Sequence, residues 1–184
     1  IDAEYATWNI DPAALSKAFE LYPEVKVVVL AHLYGSPGKM DELKAVCDKH
    51  GAVIIEDAAE SLGATYKGVQ TGNFGNYNAI SFNGNKIITS SGGGMLLCSD
   101  EAKIKRARFL ATQARDPARY YQHSTIGYNY RMSNVVAGIG RGQLLHLEEH
   151  KARKNEIYRQ YKEAFADIEA ITMNPMNPDG DANN

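Results

Sequence analysis

Apolar positions along the chain change period several times, and each change marks an element. Asp11-Pro12 has the form of a helix start, with aspartate as cap and proline at the first helical position. Leu15, Ala18, Phe19 and Tyr22 follow at helical spacing. Lys26 to Ala31 (KVVVLA) is a β-branched run that predicts a buried strand. After the loop HLYGSPGKM, the stretch Met40 to His50 places Met40, Leu43, Val46 and Cys47 on one helical face. Ala52 to Glu56 (AVIIE) predicts another buried strand. A helix between two such strands makes a βαβ unit and implies parallel pairing.

Shorter segments follow. AAESLGATY reads as helix or turn, YKGVQTGNFGN as a glycine-rich hairpin or loop, and AISF and GGMLLCS as strands. Ala102 to Ala114 predicts a basic helix, Arg115 to Tyr130 a long polar and aromatic loop, and Met132 to about Ala166 one bent helix or two. No internal repeat or low-complexity segment is present. The expected class is α/β, with a central, mostly parallel sheet flanked by helices.

Composition narrows the function classes. The 184 residues are 44% hydrophobic and 23% charged, values of a folded globular protein. A net charge of −2 gives no basic surface for nucleic acid or an anionic membrane. No apolar run has the length of a membrane span. The opening residues show no signal-peptide pattern, and Cys47 and Cys98 read as two buried, reduced thiols, so a cytoplasmic location is expected. Both ends look cut, and a piece of a longer protein is expected.

The candidate chemistry lies where strands end. In an open α/β sheet, ligands bind beyond the carboxyl ends of the strands. Here those ends run into His32, Asp57 and the loop carrying Lys86. Asp57 alone could be a helix cap, and Lys86 alone a solvated lysine. Together they suggest more. A lysine desolvated beside apolar strands can lose its proton and form a Schiff base with an aldehyde. Pyridoxal phosphate uses that chemistry, and it needs an acid beside its pyridinium nitrogen. Asp57 would be the acid. Ser81 and the glycine run offer a hydroxyl and close backbone approach to a phosphate. A nucleotide-binding oxidoreductase fails on context, because SSGGG precedes a strand rather than a helix.

The segments IIEDAAESLGATYKG, TGNFGNYNAISFNGNKIITSSGGG and IGYNYRMSN, in that order and spacing, resemble the sugar aminotransferases of the DegT/DnrJ/EryC1/StrS family. The resemblance runs from WNIDP to the helix beginning near Asn134. It implies an aspartate-aminotransferase-like (fold type I) large domain, truncated, since family members are about twice this length. Residues 1–133 would be a partial domain binding pyridoxal phosphate. Residues 134–184 would be a helical segment leading to a small domain.

The resemblance also implies roles. Lys86 is the Schiff-base lysine and proton carrier. Asp57 pairs with the pyridine nitrogen. Glu60 faces the 3′ oxygen, where many members have glutamine. Ser81 binds phosphate, and Asn129 reaches the phosphate of the neighbouring subunit's cofactor, implying a homodimer. The implied reaction moves an amino group from an amino acid, with glutamate expected, to a nucleotide-linked keto sugar. A dehydratase-like member, or an inactive core fragment, is the alternative. His32 could touch the cofactor or be structural. Tyr120, Tyr121 and His123 could line the sugar-nucleotide site or form dimer contacts, and Arg131 could contact substrate or an interface. No metal is expected.

Overall fold

A computed structural model describes residues 1–183. The first helix, α1 (Pro12–Leu21), starts where the cap predicts: the Asp11 carboxylate accepts from Ala13 N at 2.8 Å, and Pro12 brings no N–H to satisfy. The strand β1 (Val27–Ala31) is followed by a 3-10 turn (Leu33–Gly35) and by α2 (Met40–His50). Gly51, at φ +62°, ends α2 in the left-handed conformation. Then come β2 (Val53–Asp57), β3 (Thr65–Tyr66), β4 (Val69–Gln70), β5 (Tyr77–Ser81) and β6 (Gly94–Leu97). The remaining elements are α3 (Glu101–Ala111), α4 (Asn134–Leu144), α5 (Leu147–Ala164) and β7 (Gly180–Asp181).

The main sheet has the order β1-β2-β5-β6. Its first two pairs are parallel and β6 is antiparallel to β5, as a mostly parallel sheet requires. A smaller sheet, β4-β3-β7, is antiparallel. Leu15 and Phe19 of α1 and Met40, Leu43 and Cys47 of α2 pack on Val28, Leu30 and Ile54 to form the main core. A second core gathers Ala58, Ile80, Phe82, Ile88 and Leu147.

Several expectations need correction. KVVVLA is not buried on both faces: Val28 and Leu30 are buried, whereas Val27 is 49% exposed and Val29 63%. The cause is coverage, since α1 and α2 pack on one side of β1 only. Of the two thiols, Cys47 is buried but Cys98 only half-buried. AAESLGATY forms turns running into β3 and no helix. The basic helix ends at Ala111, because Gln113 and Ala114 take positive φ. The stretch 134–184 is helical only through Ala164, with α4 and α5 as separate helices. Residues 177–183 fold back on the α/β body and contribute β7, and Asn184 lies outside the described residues. Among the described residues no helix is long and apolar enough to cross a membrane.

Leu43 is fully buried where α2 meets the sheet. Leu43→Ala is expected to lower the unfolding free energy by about 2–5 kcal/mol. Equilibrium denaturation measures this, and a loss of less than about 1 kcal/mol would contradict the packing.

Candidate active site

Strand register assembles the candidate residues. Ala31, Asp57 and Ala79 stand side by side across β1, β2 and β5. Small neighbours on both strands leave Asp57 room at the carboxyl edge. Alternation along β2 sends Asp57 to one face and Glu56 to the other. Asp57 Oδ1 accepts from Ala59 N at 3.0 Å. That bond opens a turn rather than a helix, so the capping alternative is realised only as a turn.

The turn presents Glu60. Its Oε2 accepts from Tyr34 N at 2.9 Å, and its Oε1 lies 3.6 Å from Lys86 Nζ. Tyr34 is at φ +52°, an uncommon conformation for a residue with a side chain, and it aims this N–H at the carboxylate. The Lys86 side chain is 16% exposed and that of Glu60 41% exposed. The next two residues anchor the backbone of Lys86. Ile88 is fully buried in the second core, and the carbonyl of Ile87 accepts from His150 Nδ1 of α5 at 3.2 Å. The loop closes on itself through Ser90 N to Phe82 O, 3.0 Å.

Ser81 ends β5 opposite Gly94. Its Oγ accepts from Asn83 N at 3.2 Å, which leaves its O–H proton able to donate. Gly93, at φ +91°, sits against Met132, whose side chain would collide with any Cβ added there. The glycine run and residues 130–133 thereby share one surface cleft, which Arg131 lines. Asn129 is exposed and pairs with Thr112 in an isolated bridge. It lines a different depression, with Gln113 and His123.

The structure joins Lys86, Glu60 and the Asp57 turn, and leaves others apart. Tyr120 and Tyr121 are exposed; Arg115 stacks on Tyr121, 4.3 Å from its ring centre. His123 Nδ1 donates to Gln113 O at 2.8 Å. His32 is not open to a ligand. It is buried, with Gly38 N donating to Nδ1 at 3.2 Å. Nε2 therefore carries the proton and donates to Glu56 Oε1 at 2.9 Å. The structural reading of His32 holds.

Glu56 itself escaped the sequence reading. It is fully buried and accepts from Gly72 N at 2.5 Å, Phe74 N at 2.8 Å and Gly75 N at 3.1 Å, besides His32. Gly72 points its N–H at Glu56 from φ +91°, a conformation suited to glycine. Burial alone would raise the Glu56 pKa. The His32 bond and the N–H groups of Gly72 and Phe74 outweigh it and hold the carboxyl below its usual value. The available signal was the carboxylate inside an apolar strand, followed by TGNFGN.

Comparison with known proteins agrees in extent. The model of the DegT/DnrJ/EryC1/StrS aminotransferase family matches residues 1–184. A Bacillus subtilis (strain 168) protein with the provisional name pyridoxal phosphate-dependent aminotransferase EpsN is 51% identical over 179 residues, 95% of this chain and 46% of that protein. GDP-perosamine synthase of Caulobacter vibrioides is 39% identical over 166 residues, 90% of this chain and 44% of that protein. The crystal structure of S. venezuelae DesV in complex with a ketimine intermediate superposes with a TM-score of 0.90 at 30% identity, over 100% of this chain and 48% of that one. The chain thus spans about half the length of the curated relatives it matches.

Glu56 generates a pH prediction. Its folded pKa lies below the unfolded value of about 4.3. Its stabilisation is present above that value and is lost as pH falls through the lower, folded one. Glu56→Gln is expected to destabilise the protein at pH 7 by about 3 kcal/mol and to flatten the stability loss between about pH 5 and pH 3. Denaturant unfolding across that range measures both. Equal pH slopes in the variant and the parent would contradict the assignment.

Proposed function

Because this chain belongs to the DegT/DnrJ/EryC1/StrS aminotransferase family, we propose that it carries the lysine-bearing part of an enzyme that moves an amino group to a nucleotide-linked keto sugar. Aminotransferases of this family depend on pyridoxal phosphate, and the fold is that of the fold type I enzymes. The amino donor in this reading is an amino acid, with glutamate first choice. The observation that carries the proposal is the contact of Lys86 with Glu60 on the turn that Asp57 opens.

The residues present fit the cofactor in chemistry. Asp57 supplies a carboxylate for a protonated ring nitrogen, Lys86 an amine for the aldehyde, and Ser81 a donor hydroxyl for the phosphate. Glu60, 3.6 Å from Lys86 Nζ, would face the ring's phenolic oxygen in this reading. When bound, pyridoxal phosphate supplies the electron sink that acidifies the substrate carbon. The chain supplies the rest. Asp57 would hold a proton on the ring nitrogen. Lys86 Nζ, steered by the Glu60 carboxylate, takes the proton from the substrate carbon and returns it. Ile87 and Ile88 fix the backbone of that base, so only its side chain moves.

In this reading the enzyme is a homodimer in which Asn129, exposed here, serves the partner's phosphate site. We assign residues 1–133 to the cofactor domain. GDP-perosamine synthase among the relatives favours a nucleotide sugar as acceptor, and a cytoplasmic site of action fits such a substrate. A second reading, that the 184-residue chain alone folds but does not turn over, is favoured by the exposure of Val29 and Leu96 on the Asp57 face of the sheet.

The test is spectroscopic. Adding pyridoxal phosphate is expected to give a band at about 410–430 nm. Borohydride should then fix a pyridoxyl group to Lys86, detectable by peptide mass. Lys86→Ala should remove the adduct and lower turnover of the full-length enzyme by about a thousandfold or more. A band in the full-length enzyme and none in this chain selects the second reading. No adduct on Lys86 in either would overturn the proposal.

A further inference from the structure

The returning tail reaches the candidate site. Asn177 Nδ2 donates to Pro37 O at 2.9 Å and to Gly38 O at 3.2 Å. β7 pairs with β3, and Lys151 meets Asp181 at 2.6 Å. These bonds bring in Asn183, which is 1% exposed. Its amide donates to Glu60 O at 2.9 Å and to Leu62 O at 2.8 Å, and its backbone N donates to Gly35 O at 3.3 Å. One side chain thus ties the turn bearing Glu60, and one backbone group ties the loop bearing Tyr34. Those two segments meet at the bond from Tyr34 N to Glu60 Oε2, and the other Glu60 oxygen faces Lys86.

We propose that Asn183 is a positioning residue for Lys86, acting through Glu60. The inference rests on the role given to Lys86 above. The chemistry is specific. Asn183 is buried and its two amide bonds are partly so, and one planar amide offers N–H groups to Glu60 O and Leu62 O at once. No hydroxyl offers two donors. Without the amide, two carbonyls of the turn lose their side-chain donor, and the carboxylate the turn carries drifts from Lys86. The turn's local bonds, Ala59 N to Asp57 Oδ1, Ser61 N to Ala58 O and Ala64 N to Ser61 O, leave the carbonyls of Glu60 and Leu62 to Asn183, 123 and 121 residues away.

The test separates positioning from bulk stability. In the full-length enzyme, Asn183→Ala is expected to speed amide exchange in 33–36 and 58–63 by about tenfold, leaving β1 and β2 unchanged. Unchanged exchange in those segments, or equal acceleration everywhere, would overturn the inference. The second arm is a cycle with Glu60→Gln, read as the rate at which cyanoborohydride traps pyridoxal phosphate on Lys86. Asn183→Ala should slow trapping about fivefold with Glu60 present and less than about twofold with Gln at that position. An equal effect in both backgrounds, or none, would sink the claim that Asn183 acts through Glu60. Asn183→Ser, which keeps one donor, should give an intermediate effect and serves if the alanine variant does not fold. Absence of any Lys86 adduct in the unaltered enzyme would remove the aminotransferase reading and the positioning role with it; faster exchange confined to 33–36 and 58–63 would then show only that Asn183 holds those two segments.

Discussion

The buried carboxylate of Glu56 is the constraint on which the site's geometry depends. An ion with no water around it must find its hydrogen bonds inside the protein. Glu56 finds four donors, on the loop after β4 and at the start of the loop after β1. Satisfying it decides the path of both loops. Gly72, Phe74 and Gly75 wrap one side, and His32 locks the other by accepting from Gly38. Removing one partner would leave the rest of the network charged and unpaired, so the arrangement is cooperative.

Fixing Glu56 also fixes Asp57. Neighbours on a strand face opposite ways, so an inward Glu56 leaves Asp57 outward at the carboxyl edge. The apolar strand needs one carboxylate anchored on the helix-covered face to offer another on the open face. The Glu60–Lys86 pair works differently. With Glu60 41% exposed, an ion pair at 3.6 Å contributes of order 1 kcal/mol or less to stability. It does not hold the fold. Its consequence is direction: it points an amine whose backbone Ile87 and Ile88 already fix.

Local signals in the sequence reported what local physics decides. Asp11-Pro12 and the Met40–His50 helix were readable because caps and periodicity act over a few residues. Strand ends were readable because apolar runs stop where the sheet does, and that put Asp57 at the end of β2 and Lys86 in the loop after β5. Glu56 was not, because its partners lie 16 to 24 residues away. The return of residues 177–183 was not either. Asn177 and Asn183 look like ordinary turn residues until they meet carbonyls more than 120 residues upstream. Nor could periodicity show that Val27 and Val29 face outward, since an all-apolar strand reads alike whether one face is covered or both.

Asparagine recurs around the loop after β1, where segments remote in sequence meet. Asn9 Oδ1 accepts from Leu33 N while its Nδ2 donates to Ser36 O, and the Asn177 amide donates to Pro37 O and Gly38 O. The loop after β1 forms almost no regular structure, so its backbone groups need partners from elsewhere. A primary amide suits that task, because it offers acceptor and donors in one plane without bringing charge. Charged side chains there would compete with Glu60 for Tyr34 N or for Lys86. Neutral amides hold the loop while leaving the electrostatics of the site to Asp57, Glu60 and Lys86. The loop after β1, with Tyr34 at positive φ, is thereby held by neutral amides, while Lys86 meets the Glu60 carboxylate.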